Sequence, residues 1–485
     1  MRVVMIAGEA APYAKAGGLA DVMGALPPQL EKLGVAVSIL IPRYRSIDLQ
    51  SHGFHPYPVS GDLKFDVQTT VLPHSSVRIF LIGINYYFDR EGIYLDSATG
   101  LDYPDQADRW IAFQRAALEF VRVALSPVDI LHCHDHQAAL IPGYRQRLYP
   151  GDPGLSRTRT VLTIHNMGYQ GIFPPMAMAR SGFNMAEFFP GSPFEYFGQL
   201  NFLKVGLAFA DLVTTVSPKY AKEIEESSEL SFGLNGVLNN RRDPVLGILN
   251  GIDYDVWNPL TDLLIPARFS GRSDEALEGK AIDKRALLNA FGLDDSRMDK
   301  PLLSMLTRID VQKGIDLVIE VLDELLDRDL SFVLLGTGHR ESENALKEIA
   351  GRHPGRMGIR LAYDEALSHL VFAGADMFLM PSKYEPCGLT QLYSMCYGTV
   401  PVVRATGGLA DTVQDFDPST ERGTGFSFNA YESGAFKEAI IRAVEVWNNK
   451  PMWRTLMRSG MSSDFSWTRS AQQYLDAYRN LTGSL

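Results

Sequence analysis

Arg308 and Lys313, in the run Leu306-Thr307-Arg308-Ile309-Asp310-Val311-Gln312-Lys313-Gly314, pair a planar guanidinium with a mobile ammonium. The guanidinium can grip phosphate oxygens in a bidentate fork, and the ammonium adds a point charge that follows them. The local pattern predicts a strand ending near Arg308 and a helix beginning near Lys313. That would set both side chains at the carboxyl edge of a sheet, where open α/β folds bind ligands. A strand-end salt bridge beside an exposed helix lysine would use the same residues. A second run, Pro381-Ser382-Lys383-Tyr384-Glu385-Pro386-Cys387-Gly388-Leu389-Thr390, follows an apolar stretch at 377–380. Prolines on both sides and a glycine opening the next helix would aim the Glu385 carboxylate rigidly at a ligand. Cys387 has no identifiable base and reads as a small packed residue.

The phrase Gly-Gly-Leu-Ala-Asp occurs twice, at Gly17-Gly18-Leu19-Ala20-Asp21 after Lys15-Ala16 and at Gly407-Gly408-Leu409-Ala410-Asp411. Each copy follows an apolar run (2–7 and 399–404) and opens a helical pattern. Paired glycines let the backbone approach a ligand, and a helix start offers unpaired N–H groups and the positive dipole end to an anion. One copy in each half predicts two nucleotide-style α/β domains serving one anionic ligand.

His132-Cys133-His134-Asp135-His136 invites a metal reading, since His132 and His134 share one face of a strand. His165 is the obvious third ligand, yet such a site would leave both Gly-Gly loops without a role. His165-Asn166 ends another strand, where imidazole and amide can hydrogen-bond a polar ligand. For His132 the competing reading is a satisfied core histidine.

Composition narrows the class. A chain of 485 residues exceeds one ordinary core. Hydrophobic content of 46% with 21% charged residues is that of a soluble globular protein. A net charge of −11 argues against nucleic-acid or anionic-membrane partners, so an anionic substrate needs a local basic site. Cys133, Cys387 and Cys396 are too scattered for a disulfide framework, which fits a reducing, cytoplasmic setting. No apolar run approaches the roughly 18 residues of a membrane span, and the N-terminus does not resemble a signal peptide.

The elements follow from periodicity. Strands are predicted at 2–7, 36–41, 130–133, 160–164 and 212–216, with a helix over 105–124. The stretch 54–88 alternates and carries turn residues, which predicts inserted β-hairpins. The Phe/Met/Gly-rich stretch 171–202 predicts an ordered loop or small helical excursion. Ser217-Pro218 reads as an N-cap with proline at the first helical position. From Pro301 on, strand-like runs begin near Leu302, Phe332, Ile359, Met377, Val400 and Gly425 with helices between most of them. That alternation predicts a doubly wound parallel sheet. The tail 452–485 is helical in pattern. The expected division is a first domain at 1–249, a hinge at 250–259, a second domain at 260–457 and a helical tail at 458–485.

Lys15-Ala16-Gly17-Gly18-Leu19-Ala20-Asp21-Val22 resembles the N-terminal signature of bacterial glycogen synthases and plant starch synthases. His134-Asp135, His165-Asn166-Met167-Gly168-Tyr169-Gln170-Gly171, Asn250-Gly251-Ile252-Asp253 with Trp257-Asn258-Pro259, Arg308 with Gln312-Lys313-Gly314, Glu385-Pro386-Cys387-Gly388-Leu389-Thr390 and Thr406-Gly407-Gly408-Leu409 resemble that family's blocks in the same order. The resemblance implies a GT-B fold: two Rossmann-like α/β domains, an active site in the interdomain cleft and a C-terminal helix returning to the first domain. It implies transfer of glucose from ADP-glucose, with retained configuration, to the non-reducing 4-hydroxyl of an α-1,4-glucan such as glycogen or a maltooligosaccharide. No metal and no cofactor are implied.

By position, the resemblance makes Arg308 and Lys313 the diphosphate clamp, aided by N–H groups at Gly17, Gly18 and Thr390. Lys15 lies on the loop closing over the donor phosphates. Glu385 matches the carboxylate that supports the glucosyl ring, and His165 and Asp135 line the glucose pocket with Asn166 beside them. Tyr363 takes the place of a ring packing on adenine, and Asp21, Asn250, Cys387, Gly388 and Leu389 fall in the binding blocks. Position 136 is His where the family usually has Trp, which bears on the acceptor side. Ala16 replaces a Thr found in many bacterial members. The alternatives are a sucrose- or trehalose-forming transferase, a non-catalytic glucan-binding protein and a metal-dependent hydrolase.

Overall fold

The computed structural model describes residues 1–59 and 63–483. The chain divides into two compact units, Met1–Gly251 with Trp467–Leu485, and Ile252–Ser466.

The first unit is built on strands β1 (Arg2–Ile6), β2 (Ala36–Pro42), β3 (His55–Pro56), β4 (Asp66–Val71), β5 (Arg78–Gly83), β6 (Ile130–His134) and β7 (Arg159–Ile164), then β8 (Ile172–Phe173), β9 (Glu195–Tyr196), β10 (Gln199–Asn201), β11 (Leu212–Thr215) and β12 (Leu246–Gly247). Nine of them form one sheet in the order β12-β11-β7-β6-β1-β2-β5-β4-β3. From β12 to β5 every pairing is parallel. Runs such as Val3-Val4-Met5-Ile6 are wholly buried, as parallel strands covered on both faces require. The five strands expected here lie within one residue of the observed ones. Ser217 caps its helix as expected, accepting from the Tyr220 N–H at 2.9 Å.

Two expectations need correction. The stretch 54–88 forms antiparallel hairpin pairings as expected, β3 with β4 and β4 with β5, but it is not a separate insertion: β5 pairs in parallel with β2 and the three strands extend the main sheet. Ile79–Ile82 are all buried, so β5 is a core strand whose continuous apolar run the alternation rule does not describe. Residues 60–62 of that stretch lie outside the described residues. The stretch 171–202 holds a small antiparallel sheet, β8-β10-β9, with the short helix Met176–Ser181. Strands of two or three residues carry no readable period.

The second unit has strands β13 (Leu302–Leu306), β14 (Ser331–Leu335), β15 (Met357–Arg360), β16 (Met377–Met380), β17 (Val400–Arg404) and β18 (Phe426–Phe428). All begin within two residues of the expected places. They pair only in parallel, in the order β15-β14-β13-β16-β17-β18. This is the 3-2-1-4-5-6 order of dinucleotide-binding sheets, and its direction reverses between β13 and β16. Ligands in such sheets sit beyond the carboxyl ends of the strands at that switch point. Arg308 follows β13, and Glu385 follows β16.

Each unit has its own apolar core. The helical tail is two helices: Lys450–Met461 belongs to the second unit, whereas Trp467–Thr482 packs on helix Gly18–Lys32 in the first. The last two residues of the tail lie outside the described residues. Among the described residues, no helix is long and apolar enough to cross a membrane.

Candidate active site

In the second unit the chain leaves β13 and turns at Asp310, whose Oδ1 accepts from the Lys313 N–H at 3.1 Å. Gly314 then takes a φ of +73°, and a Cβ there would lie 2.1 Å from the Pro381 carbonyl oxygen. Only glycine lets this turn press against the loop after β16. The contact is completed by the Lys383 N–H, which donates to the Gln312 carbonyl at 2.8 Å.

The two loops thereby bring Lys313 onto Glu385. Its ammonium donates to both carboxylate oxygens, at 3.0 and 2.7 Å, and the Ser382 hydroxyl donates to one of them at 3.0 Å. Glu385 is 6% exposed, so its charge is held in a dry setting by one ammonium and one hydroxyl. Arg308 stays half in solvent, with its side chain 56% exposed, near Gln312 at 3.3 Å and Asp310 at 3.4 Å. Tyr363, after β15, is 82% exposed.

The second Gly-Gly pair does different work from that expected. Cβ atoms at Gly407 and Gly408 would each lie 2.0 Å from a carbonyl oxygen, of Glu385 and Cys387 respectively. The Gly408 N–H donates to the Glu385 carbonyl at 3.1 Å. These glycines press a helix start against the Glu385 loop and spend an amide on it, so this copy shapes the carboxylate's backbone. Gln391 braces the same loop, donating to the carbonyls of Cys387 and Gly388 at 3.1 Å each. Cys387 is buried. Leu389 leads into the short helix Thr390–Cys396, and the Thr390 hydroxyl lies against the Met380 sulfur at 3.4 Å.

In the first unit the loop after β1 carries Lys15, Gly17 and Gly18 into helix Gly18–Lys32. Lys15 pairs with Asp21 at 2.6 Å. The Gly17 N–H donates to Glu9 Oε2 at 3.0 Å, and the Ala16 N–H donates to the same oxygen. The Gly17 amide expected to face a phosphate is therefore already taken by a carboxylate 2% exposed. Sequence reasoning passed over Glu9. Its only signal was a charged residue set among Gly8, Ala10 and Ala11 directly after a core strand.

The ends of β6 and β7 bring Asp135, His165 and Asn166 together. Asp135 has a φ of +54°, a strained region for a residue with a side chain. Its Oδ1 accepts from the His165 N–H at 2.7 Å, and burial pushes the carboxyl up to about 7. Asn166 Oδ1 accepts from the Gly168 N–H at 2.9 Å. Asn250 is buried, and among the described residues its side-chain oxygen has no hydrogen-bond partner.

The histidine run is engaged internally. His132 Nε2 meets the Thr163 hydroxyl at 2.6 Å and its Nδ1 meets the Tyr478 hydroxyl at 2.7 Å, so both nitrogens are occupied. His134 Nδ1 pairs with His165 Nε2 at 3.0 Å. Among the described residues, no group of three or more His, Cys, Asp or Glu is placed to hold a metal ion. The satisfied-core reading of His132 is the observed one. At the departure from the family pattern, His136 Nδ1 meets the Tyr169 carbonyl at 3.0 Å. A Cβ on Gly171 would lie 2.7 Å from the same ring, which therefore packs the turn after β7.

Burial lowers His132 and His165 from 6.5 to about 3 and His136 to about 4, so all three are neutral at pH 7. Each binds its proton more weakly folded than unfolded. Unfolding therefore takes up protons between pH 6.5 and those values, and stability falls as pH drops through that window. His134, also lowered by burial, adds to them, whereas Asp135, raised from 3.8 to about 7, Asp283, raised to about 6, and Glu9, raised by burial, work the opposite way: three groups against four. Thermal melts from pH 8 to pH 4 should show the melting temperature falling below pH 6.5. A constant or rising value would contradict this.

Residues 2–240 match the family model described as starch synthase catalytic domain, and residues 294–455 match glycosyl transferases group 1. The chain is 43% identical to a glycogen synthase from Koribacter versatilis, over 99% of this chain and 98% of that protein. It is 32% identical, with a TM-score of 0.88 and 99% of each chain covered, to the catalytic domain of Starch Synthase IV from Arabidopsis thaliana, solved bound to ADP and acarbose. A sucrose-phosphate synthase from Thermosynechococcus elongatus, 17% identical with a TM-score of 0.61 over both full chains, shares the fold alone. Two Rossmann-like parallel sheets, each with polar groups gathered beyond its strand ends, place the molecule among the two-domain glycosyltransferases. Within that class, the chain belongs to the glycogen synthase and starch synthase family.

Proposed function

We propose that the chain elongates glycogen in the cytoplasm, transferring glucose from ADP-glucose to the non-reducing 4-hydroxyl of an α-1,4-glucan with retention of configuration. The observation that carries this reading is the buried Glu385 carboxylate in a two-point bond with Lys313, beside exposed Arg308, at a sheet switch point. A departing ADP gains negative charge as the sugar–oxygen bond breaks. Arg308 stabilises that charge, and Lys313, which has three donors and spends two on Glu385, offers the third to a phosphate oxygen. The glucosyl ring becomes oxocarbenium-like, and Glu385 faces that positive charge.

Lys15 and Gly18 attend the phosphates, while Asp135, His165, Asn166 and Asn250 hold the glucosyl ring and Tyr363 lies against adenine. Retention without a separate nucleophile is met by front-face attack, in which the leaving phosphate accepts the proton of the glucan hydroxyl.

The test is a donor panel: ADP-glucose against UDP-glucose with glycogen present, scored by nucleotide release. ADP-glucose should be turned over faster. A clear preference for UDP-glucose would reject the donor assignment. Because side chains answer the diphosphate charge, turnover should also survive excess EDTA. A loss reversed by a divalent cation would contradict the clamp as sufficient.

A further inference from the structure

The loop that carries Lys15 is held from beneath by one carboxylate. Glu9 is 2% exposed, and Oε2 accepts from the successive N–H groups of Ala16 and Gly17. The Tyr94 hydroxyl bonds the same side chain. A buried carboxylate persists only when its oxygens are satisfied, and hydrogen bonds to an ionised acceptor are about twice as strong as neutral ones. Holding two successive amides fixes two peptide planes. Those planes set where the Lys15 stem leaves the backbone and how the first N–H groups of helix Gly18–Lys32 point.

We propose that Glu9 is a positioning residue for the nucleotide-sugar donor, acting through the Ala16 and Gly17 amides to aim Lys15 and the helix start at the donor's diphosphate. The inference rests on the reading of Lys15 as a donor-phosphate residue. Glu9 itself touches no donor phosphate. Burial raises its pKa, against the three donors that favour the charged form; the backbone that it holds shields it from the ligand, and those donors leave it little reason to move when ADP binds.

The experiment is a double-mutant cycle on the full chain with Glu9→Gln, Lys15→Ala and the pair, reading KM for ADP-glucose, kcat, KM for glycogen and melting temperature. Glutamine keeps the shape but accepts without charge, so Glu9→Gln should raise the donor KM about tenfold. The glycogen KM should change less than about twofold, because the effect is confined to the loop. In the Lys15→Ala background the same change should cost less than about fivefold, since only the helix start remains as its route to the donor. Glu9→Asp, which withdraws the carboxylate from the amides, should resemble Glu9→Gln.

Fully additive effects of Glu9→Gln and Lys15→Ala overturn the positioning role. So does loss of the fold in both Glu9 variants, which would make the residue a core element. A Lys15→Ala variant with a normal donor KM instead removes the premise about Lys15, and that outcome shows in the single mutant alone.

Discussion

Arg308→Ala should lower kcat by ~10²–10³ while leaving glycogen binding nearly unchanged, the usual loss for one oriented donor of transition-state charge. On the proposed reading Arg308 meets a charge that is greatest as ADP departs, so the loss belongs in kcat and kcat/KM together. Its exposure makes the test clean, because removing a half-solvated guanidinium should leave the melting temperature within a few degrees. Lys313→Ala should lose as much activity but also stability, of about 2–3 kcal/mol, because it strands the buried Glu385 charge beside a lone hydroxyl. Adding Glu385→Gln to that variant should recover stability without recovering turnover. Near-normal turnover of Arg308→Ala at saturating donor would remove the clamp.

Glu385→Gln should keep the fold and ADP affinity while losing most activity, again by ~10² or more, because the amide presents no charge to the cationic ring. The structure explains why the fold should survive. The amide oxygen can still accept from Lys313 or Ser382, and the loop itself is held by backbone contacts from Gly314 and Gly408. Circular dichroism, an ADP titration and an initial-rate assay on the same sample separate the cases. Parallel losses of melting temperature and rate would make Glu385 a structural residue.

The second unit was legible because its strands are short, buried and parallel, each a compact apolar run between helices. Leu302, Met377 and Val400 were located to the residue. The positions of Arg308 and Glu385 just beyond the ends of β13 and β16 were legible with them. The contact of Lys313 with Glu385 was not: it depends on Gly314 meeting Pro381 and on Gly407 and Gly408 meeting the Glu385 loop, contacts between segments far apart in sequence. The two Gly-Gly-Leu-Ala-Asp phrases show the same limit. Identical letters hold a carboxylate in one copy and a backbone carbonyl in the other, because what packs against them differs. Glu9 was missed since its partners are amides, which leave no mark on the sequence. Tyr478, which completes His132, lies in the last helix of the chain and far beyond any local pattern.

The central claim is transfer of single glucosyl units onto the non-reducing end of an α-1,4-glucan, and product analysis tests it most directly. Purified protein would be incubated with ADP-glucose and a maltooligosaccharide of defined length labelled at its reducing end. Chromatography and NMR of the products should show a ladder lengthened one glucose at a time, every new linkage α-1,4, with ADP released in equal amount. A β-linked product, a non-reducing disaccharide made from free or phosphorylated hexoses, or an unchanged oligosaccharide with ADP-glucose left intact would contradict the account.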